Sequence, residues 1–100
     1  MDINVSELKK RRTNGEKFIF IDVREPDEYA DFNLGAQLIP LGNLTAALAS
    51  LEAQKNEEIV LHCRSGKRSA MAQQMMQQAG FTNVRNLEGG VLAWMSEFGR

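Results

Sequence analysis

Two stretches of the chain have the hydrophobic spacing of amphipathic helices. Across residues 67–79, apolar positions recur at intervals of three and four, and glutamines cover the opposite face. The apolar positions of this predicted helix are Ala72, Met75, Met76 and Ala79. Gly80 follows it and is placed to end it. The same spacing predicts a second helix on the apolar positions Leu44, Ala47, Leu48 and Leu51.

Short apolar runs alternate with these helices and have the character of strands. Residues 18–23 are rich in aromatic and β-branched side chains, as expected of a strand covered on both faces. Residues 36–39, 59–62 and 84–87 are predicted to be further short strands. Shorter helices are predicted at residues 6–12, capped by Asn4, at residues 26–32, which Pro26 begins, and at residues 91–98. This alternation over 100 residues predicts one α/β domain, residues 1–100, with a small, mainly parallel sheet.

A polar loop joins the predicted strand at residues 59–62 to the helix that follows, and it contains the only cysteine, Cys63. Backbone N–H groups at a helix start have no partner within the helix, and the helix dipole favours anions there. A Cys63 thiolate in such a cradle is expected to have a lowered pKa and to be nucleophilic. Gly66 permits the tight bend, and Ser65 and Ser69 offer hydroxyl donors. The polar residues after Cys63 predict that it lies at an exposed rim.

Positive charge is concentrated beside the cysteine in Arg64, Lys67 and Arg68. A solvated charged patch is the ordinary explanation of such a cluster. However, cations at the start of a helix oppose its dipole, so no structural reason for them is evident. A bound anion resolves the conflict and is the preferred interpretation. The net charge of the whole chain is −1, which argues against a nucleic-acid partner.

The remaining composition excludes several other classes of protein. One cysteine permits neither an intramolecular disulfide nor a thiolate metal cluster, and we expect no metal and no cofactor. No apolar run reaches membrane-spanning length, and residues 1–7 lack the basic start and apolar segment of a secretory signal. We therefore expect no membrane partner and a cytoplasmic location. The short chain and its balanced surface favour a monomer.

Polar residues at the ends of the predicted strands are candidates for supporting roles. His62 precedes the cysteine, but neighbours on a strand point to opposite faces, so a catalytic pair with Cys63 is not expected. Asp22 and Arg24 end the first strand on the rim where α/β folds place their sites. Arg24 is expected to pair with Glu28.

Four stretches, taken in order, resemble rhodanese-type sulfurtransferases. They are Ile21-Asp22-Val23-Arg24-Glu25-Pro26-Asp27-Glu28-Tyr29, Gly35-Ala36-Gln37-Leu38-Ile39-Pro40, Cys63-Arg64-Ser65-Gly66-Lys67-Arg68-Ser69 and Leu87-Glu88-Gly89-Gly90-Val91-Leu92-Ala93-Trp94. Together they extend over nearly the whole chain, which implies a rhodanese-like three-layer sandwich with helices on both faces of the sheet. In this family the Asp-x-Arg stretch chiefly braces the active-site loop. Relatives often carry Gly-His-Ile-Pro before the second stretch, where this chain has Asn33, and the role of that position stays open.

The resemblance implies a sulfurtransferase in which Cys63 is the catalytic nucleophile. It takes a sulfane sulfur from a small anionic donor such as thiosulfate, or from a persulfide, and passes it to an external thiol or protein acceptor. The expected substrate-binding residues are Arg64, Ser65, Gly66, Lys67, Arg68 and Ser69. Because the chain has no second cysteine, the persulfide cannot be resolved internally.

Three other functions are left open. Cysteine phosphatases of a related fold carry Cys-x5-Arg, whereas Cys63 to Arg68 is Cys-x4-Arg, a shorter loop that forms a smaller cradle. The second alternative is a non-catalytic protein-binding module of the same fold. The third is a redox sensor, since an exposed low-pKa thiolate oxidises readily.

Overall fold

The computed structural model describes residues 2–100, which form five α-helices and four strands. In chain order they are α1 Val5–Thr13, β1 Ile19–Asp22, α2 Pro26–Asp31, β2 Gln37–Leu38, α3 Leu44–Ala47, β3 Ile59–His62, α4 Lys67–Gln78, β4 Val84–Asn86 and α5 Gly90–Phe98. Apart from the region around α3, every boundary lies within one residue of the prediction. No helix within residues 2–100 is long and apolar enough to cross a membrane.

The region around α3 departs from the predicted single α-helix. Only Leu44–Ala47 is α-helical, and a 3-10 segment, Leu48–Gln54, continues it. Leu44 and Leu51 are buried as expected. A spacing of three residues suits a 3-10 helix as well as an α-helix, so the apolar positions did not distinguish the two.

The sheet is entirely parallel, with strand order β2-β1-β3-β4. β3 lies between β1 and β4, and all four of its residues are buried. The prediction of a small parallel sheet is therefore confirmed. In a parallel sheet the carboxyl ends of neighbouring strands meet at one edge. That edge carries Asp22 at the end of β1, Cys63 after β3 and Asn86 at the end of β4.

Helices cover both faces of the sheet. On one face, α3 and α4 pack on Ile59 and Leu61, and on the other, α1 and α5 pack on Val60. The predicted three-layer α/β sandwich is confirmed. Since successive side chains of a strand alternate in direction, Cys63 lies on the α4 face with Leu61, and His62 lies on the opposite face.

The buried stripe of α4 lies nearer the start of the helix than predicted. Ala72 and Met76 are fully buried, but Ala79 is exposed as the C-cap residue, and Ser69 is buried in the first turn. The predicted end of the helix is confirmed, because Gly80 follows with a φ of +95°. The shift toward Ser69 places a hydroxyl beside Cys63, as described below.

Candidate active site

The loop between β3 and α4 surrounds the sulfur of Cys63 with hydrogen-bond donors. The backbone N–H groups of Gly66 and Ser69 donate to Cys63 Sγ at 3.1 Å and 3.4 Å. Ser69 Oγ lies 3.5 Å from the same sulfur. Gly66 is the N-cap residue of α4 and has a φ of +99°, a left-handed conformation that turns the loop amides inward. The start of α4 thus forms a cradle for an anion, and Sγ lies in it.

The cysteine itself is buried, so the prediction that it lies at an exposed rim is wrong. Its exposed fraction is 1%. Cys63 extends β3, which is covered on both faces, and its side chain lies beneath the loop, among the donors. Arg64, Ser65 and Lys67 are exposed and form the rim above the sulfur.

Two opposing effects set the pKa of Cys63. Burial raises it, because a thiolate loses hydration in the interior. Hydrogen bonds from the Ser69 side chain, and from the backbone N–H groups of Ser69, Gly66 and Ser65, favour the thiolate and outweigh burial. The pKa of the Cys63 thiol is therefore lowered from its ordinary value. A lowered pKa and a cradle of donors are the properties of a reactive cysteine.

Arg68 has a structural partner that is not evident from the sequence. Its guanidinium donates to both carboxylate oxygens of Glu28 in α2, at 2.7 Å and 2.8 Å. These bonds lower the pKa of the Glu28 carboxyl to about 2. The prediction that the loop cations lack a structural role is wrong for Arg68, which fastens α4 to α2. Arg64 and Lys67 form no ion pair with any residue from 2 to 100.

Arg24 pairs with Asp22, so the prediction that it pairs with Glu28 is wrong. Arg24 Nη2 donates to Asp22 Oδ2 at 2.8 Å and to the carbonyl oxygen of Phe32 at 2.7 Å. Asp22 is fully buried and Arg24 almost so. A buried carboxylate requires a charged partner within hydrogen-bond reach, and the side chain two residues on supplies it. The pair closes the end of β1 beside the loop.

His62 occupies the other face of the sheet and does not reach the sulfur. Its ring lies against Phe20, with centroids 5.1 Å apart, and Nε2 lies 3.5 Å from Asp22 Oδ2. The expectation that the side chains of His62 and Cys63 diverge to opposite faces of the sheet is confirmed. Burial lowers the pKa of His62 to about 4, although the Asp22 carboxylate opposes the shift.

The buried imidazole predicts a loss of stability in mild acid. The folded chain holds His62 neutral down to about pH 4, whereas in the unfolded chain it protonates near its ordinary pKa of 6.5. The unfolded state therefore binds more protons between these values. We expect the free energy of unfolding to fall as the pH falls through this window, with a slope approaching about 1.4 kcal/mol per pH unit. Urea denaturation at pH 7, 6 and 5 measures the slope, and His62→Leu is expected to flatten it. Equal slopes in both proteins would contradict this assignment.

Asn33 takes part in a local turn. Its Oδ1 accepts from the Gly35 N–H at 2.9 Å, and its Nδ2 donates to the Tyr29 carbonyl at 3.2 Å. The side chain is exposed, and neither bond reaches the loop. A histidine-like functional role at this position therefore has no support from the geometry.

Asn86 and Gly90, which are not among the expected site residues, also contact the loop. Asn86 accepts from Ser69 Oγ at 2.5 Å and donates from Nδ2 to the carbonyl oxygen of Gly66 at 3.1 Å. Gly90 begins α5 so close to the loop that a Cβ there would lie 2.4 Å from the carbonyl oxygen of Cys63. The parallel sheet provided a signal for Asn86, because a polar residue that ends β4 lies beside the loop that follows β3.

A cleft of about 190 Å³ opens beside the loop, between α2 and α5. Its lining residues are Arg24, Glu28, Asp31, Phe32, Arg64, Val91, Met95 and Arg100. Apart from Arg64, the charged side chains are engaged in ion pairs. A larger cleft of about 460 Å³ lies at the amino ends of the strands, where Arg11 pairs with Glu58, far from Cys63 in the fold. The smaller cleft borders the loop through Arg64, the residue that follows Cys63.

Comparison with known proteins assigns the family. The chain belongs to the rhodanese-like domain family, whose domain model matches residues 4–97. It is 34% identical over 97 residues to the putative sulfurtransferase YtwF of Bacillus subtilis, with 96% of this chain and 91% of the relative covered. It is also 34% identical to the probable adenylyltransferase/sulfurtransferase MoeZ of Mycobacterium tuberculosis, but covers only 24% of that protein.

A solved structure shows the same fold. The human single-domain sulfurtransferase TSTD1 superposes with a TM-score of 0.83 at 28% identity, over 96% of each chain. The family and the fold predicted from the four sequence stretches are therefore confirmed. The chain spans nearly the whole of TSTD1 and YtwF and about a quarter of MoeZ.

Proposed function

We propose that this chain is a sulfurtransferase whose Cys63 carries a sulfane sulfur as a persulfide. The observation that carries the proposal is the position of Cys63 Sγ, which accepts hydrogen bonds from the N–H groups of Gly66 and Ser69 at the base of the loop. The lowered pKa of the thiol supports the same role. The names of YtwF and TSTD1 describe sulfurtransferases, which agrees with the proposal.

The first half-reaction is an attack of the Cys63 thiolate on the outer sulfur of the donor. With thiosulfate, a new S–S bond forms to Cys63, the S–S bond of thiosulfate breaks, and sulfite leaves with its electron pair. The charges balance, because a thiolate and a dianion give a persulfide anion and a dianion. The loop amides and the start of α4 stabilise the negative charge of the persulfide.

The second half-reaction transfers the outer sulfur to an acceptor. A thiolate, or cyanide in an assay, attacks that sulfur, and the Cys63 thiolate leaves. The acceptor is external because the chain contains a single cysteine. The cleft between α2 and α5 offers space for the remainder of the donor or the acceptor beside the loop. Two half-reactions on one residue give ping-pong kinetics.

The exposed cations of the loop favour anionic donors. Arg64 and Lys67 are exposed and lack ion pairs within residues 2–100, so they are available to a sulfonate or carboxylate. We expect Arg64→Gln and Lys67→Gln each to raise the KM for thiosulfate by about threefold to tenfold. Steady-state formation of thiocyanate from thiosulfate and cyanide measures this effect.

The matched control is Lys10→Gln, an exposed lysine that lines the distant cleft. The KM of this control variant for thiosulfate is expected to stay at the parent value. An unchanged KM in both loop variants would remove the donor-binding role of these cations. Arg68 is unsuited to this test, because its replacement breaks the ion pair with Glu28.

The geometry gives the phosphatase alternative little support. Arg68 is the arginine of Cys-x4-Arg, and both terminal nitrogens of its guanidinium donate to the Glu28 carboxylate. A phosphoryl group would have to displace that carboxylate to gain the bidentate contact that arginine makes with phosphate. A small sulfane sulfur on Cys63 requires no such displacement.

A further inference from the structure

We propose that Asn86 is a positioning residue that tunes the nucleophile, by competing with Cys63 for the single hydroxyl proton of Ser69. The proposal rests on Cys63 being the nucleophile of the proposed function. It assigns a role to a side chain of β4 that touches neither donor nor acceptor and acts through Ser69.

The Ser69 hydroxyl lies between two acceptors. Its Oγ is 2.5 Å from Asn86 Oδ1 and 3.5 Å from Cys63 Sγ. A serine hydroxyl has one hydrogen, so it donates to only one of the two at a time. Ser69 is fully buried, so bulk water does not supply a second donor. The shorter distance places the proton on the Asn86 side when the sulfur carries no charge.

The orientation of the Asn86 amide follows from its other contact. Nδ2 donates to the carbonyl oxygen of Gly66 at 3.1 Å, and the reverse orientation would set two oxygens against each other. Oδ1 therefore faces Ser69. The backbone holds the residue in place as well, since β4 pairs with β3 at Leu61 and the Asn86 N–H donates to Asp2 Oδ1 at 3.0 Å. Asn86 is thus a fixed acceptor beside the loop.

The competition has different outcomes in the different states of the sulfur. A Cys63 thiolate draws the hydroxyl proton to Sγ, at the cost of the Ser69–Asn86 bond. In the persulfide the negative charge resides on the outer sulfur, so Sγ is a weaker acceptor. The Ser69 hydroxyl then donates to Asn86 Oδ1 again. Asn86 therefore disfavours the thiolate relative to the persulfide. It also keeps the thiolate more basic, and a more basic thiolate is the stronger nucleophile toward sulfur.

The substitutions at Asn86 and Ser69 that test the proposal leave every charged group near the sulfur unchanged. On the loop and α4 these groups are Arg64, Lys67 and Arg68, the last with its partner Glu28. At the end of β1 and on the far face of β3 they are Asp22, Arg24 and His62. Asn86, Ser69 and the glycines around the sulfur carry no charge, so a change in the pKa of Cys63 reports on hydrogen bonding.

A double-mutant cycle tests the proposal. The pKa of Cys63 is read from thiolate ultraviolet absorbance against pH, with Cys63→Ser as the blank; the single cysteine makes the signal unambiguous. Asn86→Leu removes the competing acceptor and is expected to lower the pKa by about half a unit or more. Ser69→Ala removes the donor and is expected to raise it. In the Ser69→Ala background, Asn86→Leu is expected to have no further effect.

An effect of Asn86→Leu that does not depend on Ser69 would overturn the proposal. If Asn86→Leu shifts the pKa by the same amount with and without Ser69, its effect arises from the lost contact with Gly66 and the proposal fails. Should Asn86→Leu not fold, Asn86→Ala enters the same cycle. The titration uses no sulfur donor, so it stands or falls separately from the proposed sulfur transfer.

Discussion

Cys63→Ser is expected to reduce sulfur transfer from thiosulfate to cyanide by about a thousandfold or more. The serine hydroxyl is not ionised near neutral pH, and it cannot form a persulfide. The Gly66 and Ser69 N–H groups keep an acceptor, because the serine oxygen takes the place of Sγ. The loop is therefore expected to keep its conformation. The rate of thiocyanate formation measures the loss.

The fold of this variant is expected to be intact. The change removes little volume at a buried site, so the free energy of unfolding is expected to change by no more than about 1–2 kcal/mol. Circular dichroism and urea denaturation check this. Activity of more than about a tenth of the parent value, in a folded Cys63→Ser protein, would mean that another group is the nucleophile.

Gly90→Ala is expected to have the largest effect on stability. A Cβ at this position would lie 2.4 Å from the carbonyl oxygen of Cys63 and 2.7 Å from that of Arg64. Both neighbours are backbone atoms, and the α5 amides of Val91 and Leu92 donate to these same carbonyls at 3.0 Å. Relief of the clash therefore requires α5 and the loop to separate. We expect a loss of about 3–4 kcal/mol in the free energy of unfolding, together with impaired sulfur transfer.

Gly15→Ala is the matched control for this substitution. Both glycines have a positive φ, +54° at Gly90 and +74° at Gly15, but nothing lies within 4 Å of a Cβ at Gly15. The control carries the conformational strain alone, about 1–2 kcal/mol. Urea denaturation of the two variants separates strain from the close approach. Equal losses would show that the contact between α5 and the loop does not constrain the fold.

The arrangement of helices and strands could be predicted from the sequence because it depends on local periodicity. The apolar stripe of α4 and the β-branched run of β1 each identify their own element. Their alternation then leaves a parallel sheet as the simplest arrangement. The 3-10 segment after α3 was missed because its apolar spacing is common to both kinds of helix.

The ion pairs around the loop could not be predicted in the same way. Asp22, Arg24, Glu28 and Arg68 allow more than one pairing, and the sequence led to the expectation that Arg24 pairs with Glu28. Burial decides the outcome, because Asp22 lies fully inside and requires the nearest guanidinium. Glu28 is then free for Arg68, forty residues away in the chain. Such long-range choices depend on the assembled fold.

The burial of Cys63 could not be predicted from local pattern either. The polar residues after Cys63 correctly indicated an exposed loop, but the side chain itself points beneath that loop. The contact of Asn86 with Ser69 joins β4 to α4 and leaves no trace in local spacing. The strand–loop–helix pattern identified the residues of the cradle, and the parallel sheet places Asn86 at the same edge, but the contacts that Asn86 and Gly90 make with the loop are evident only from the packing.

The central claim is that Cys63 carries a sulfane sulfur, and intact mass spectrometry tests it most directly. After incubation with thiosulfate, the parent protein is expected to gain one sulfur, about 32 Da, and to lose it on addition of cyanide or a thiol. Cys63→Ser, treated identically, is expected to gain nothing. No gain on the parent with thiosulfate or other sulfane donors, or an equal gain on Cys63→Ser, would contradict the claim.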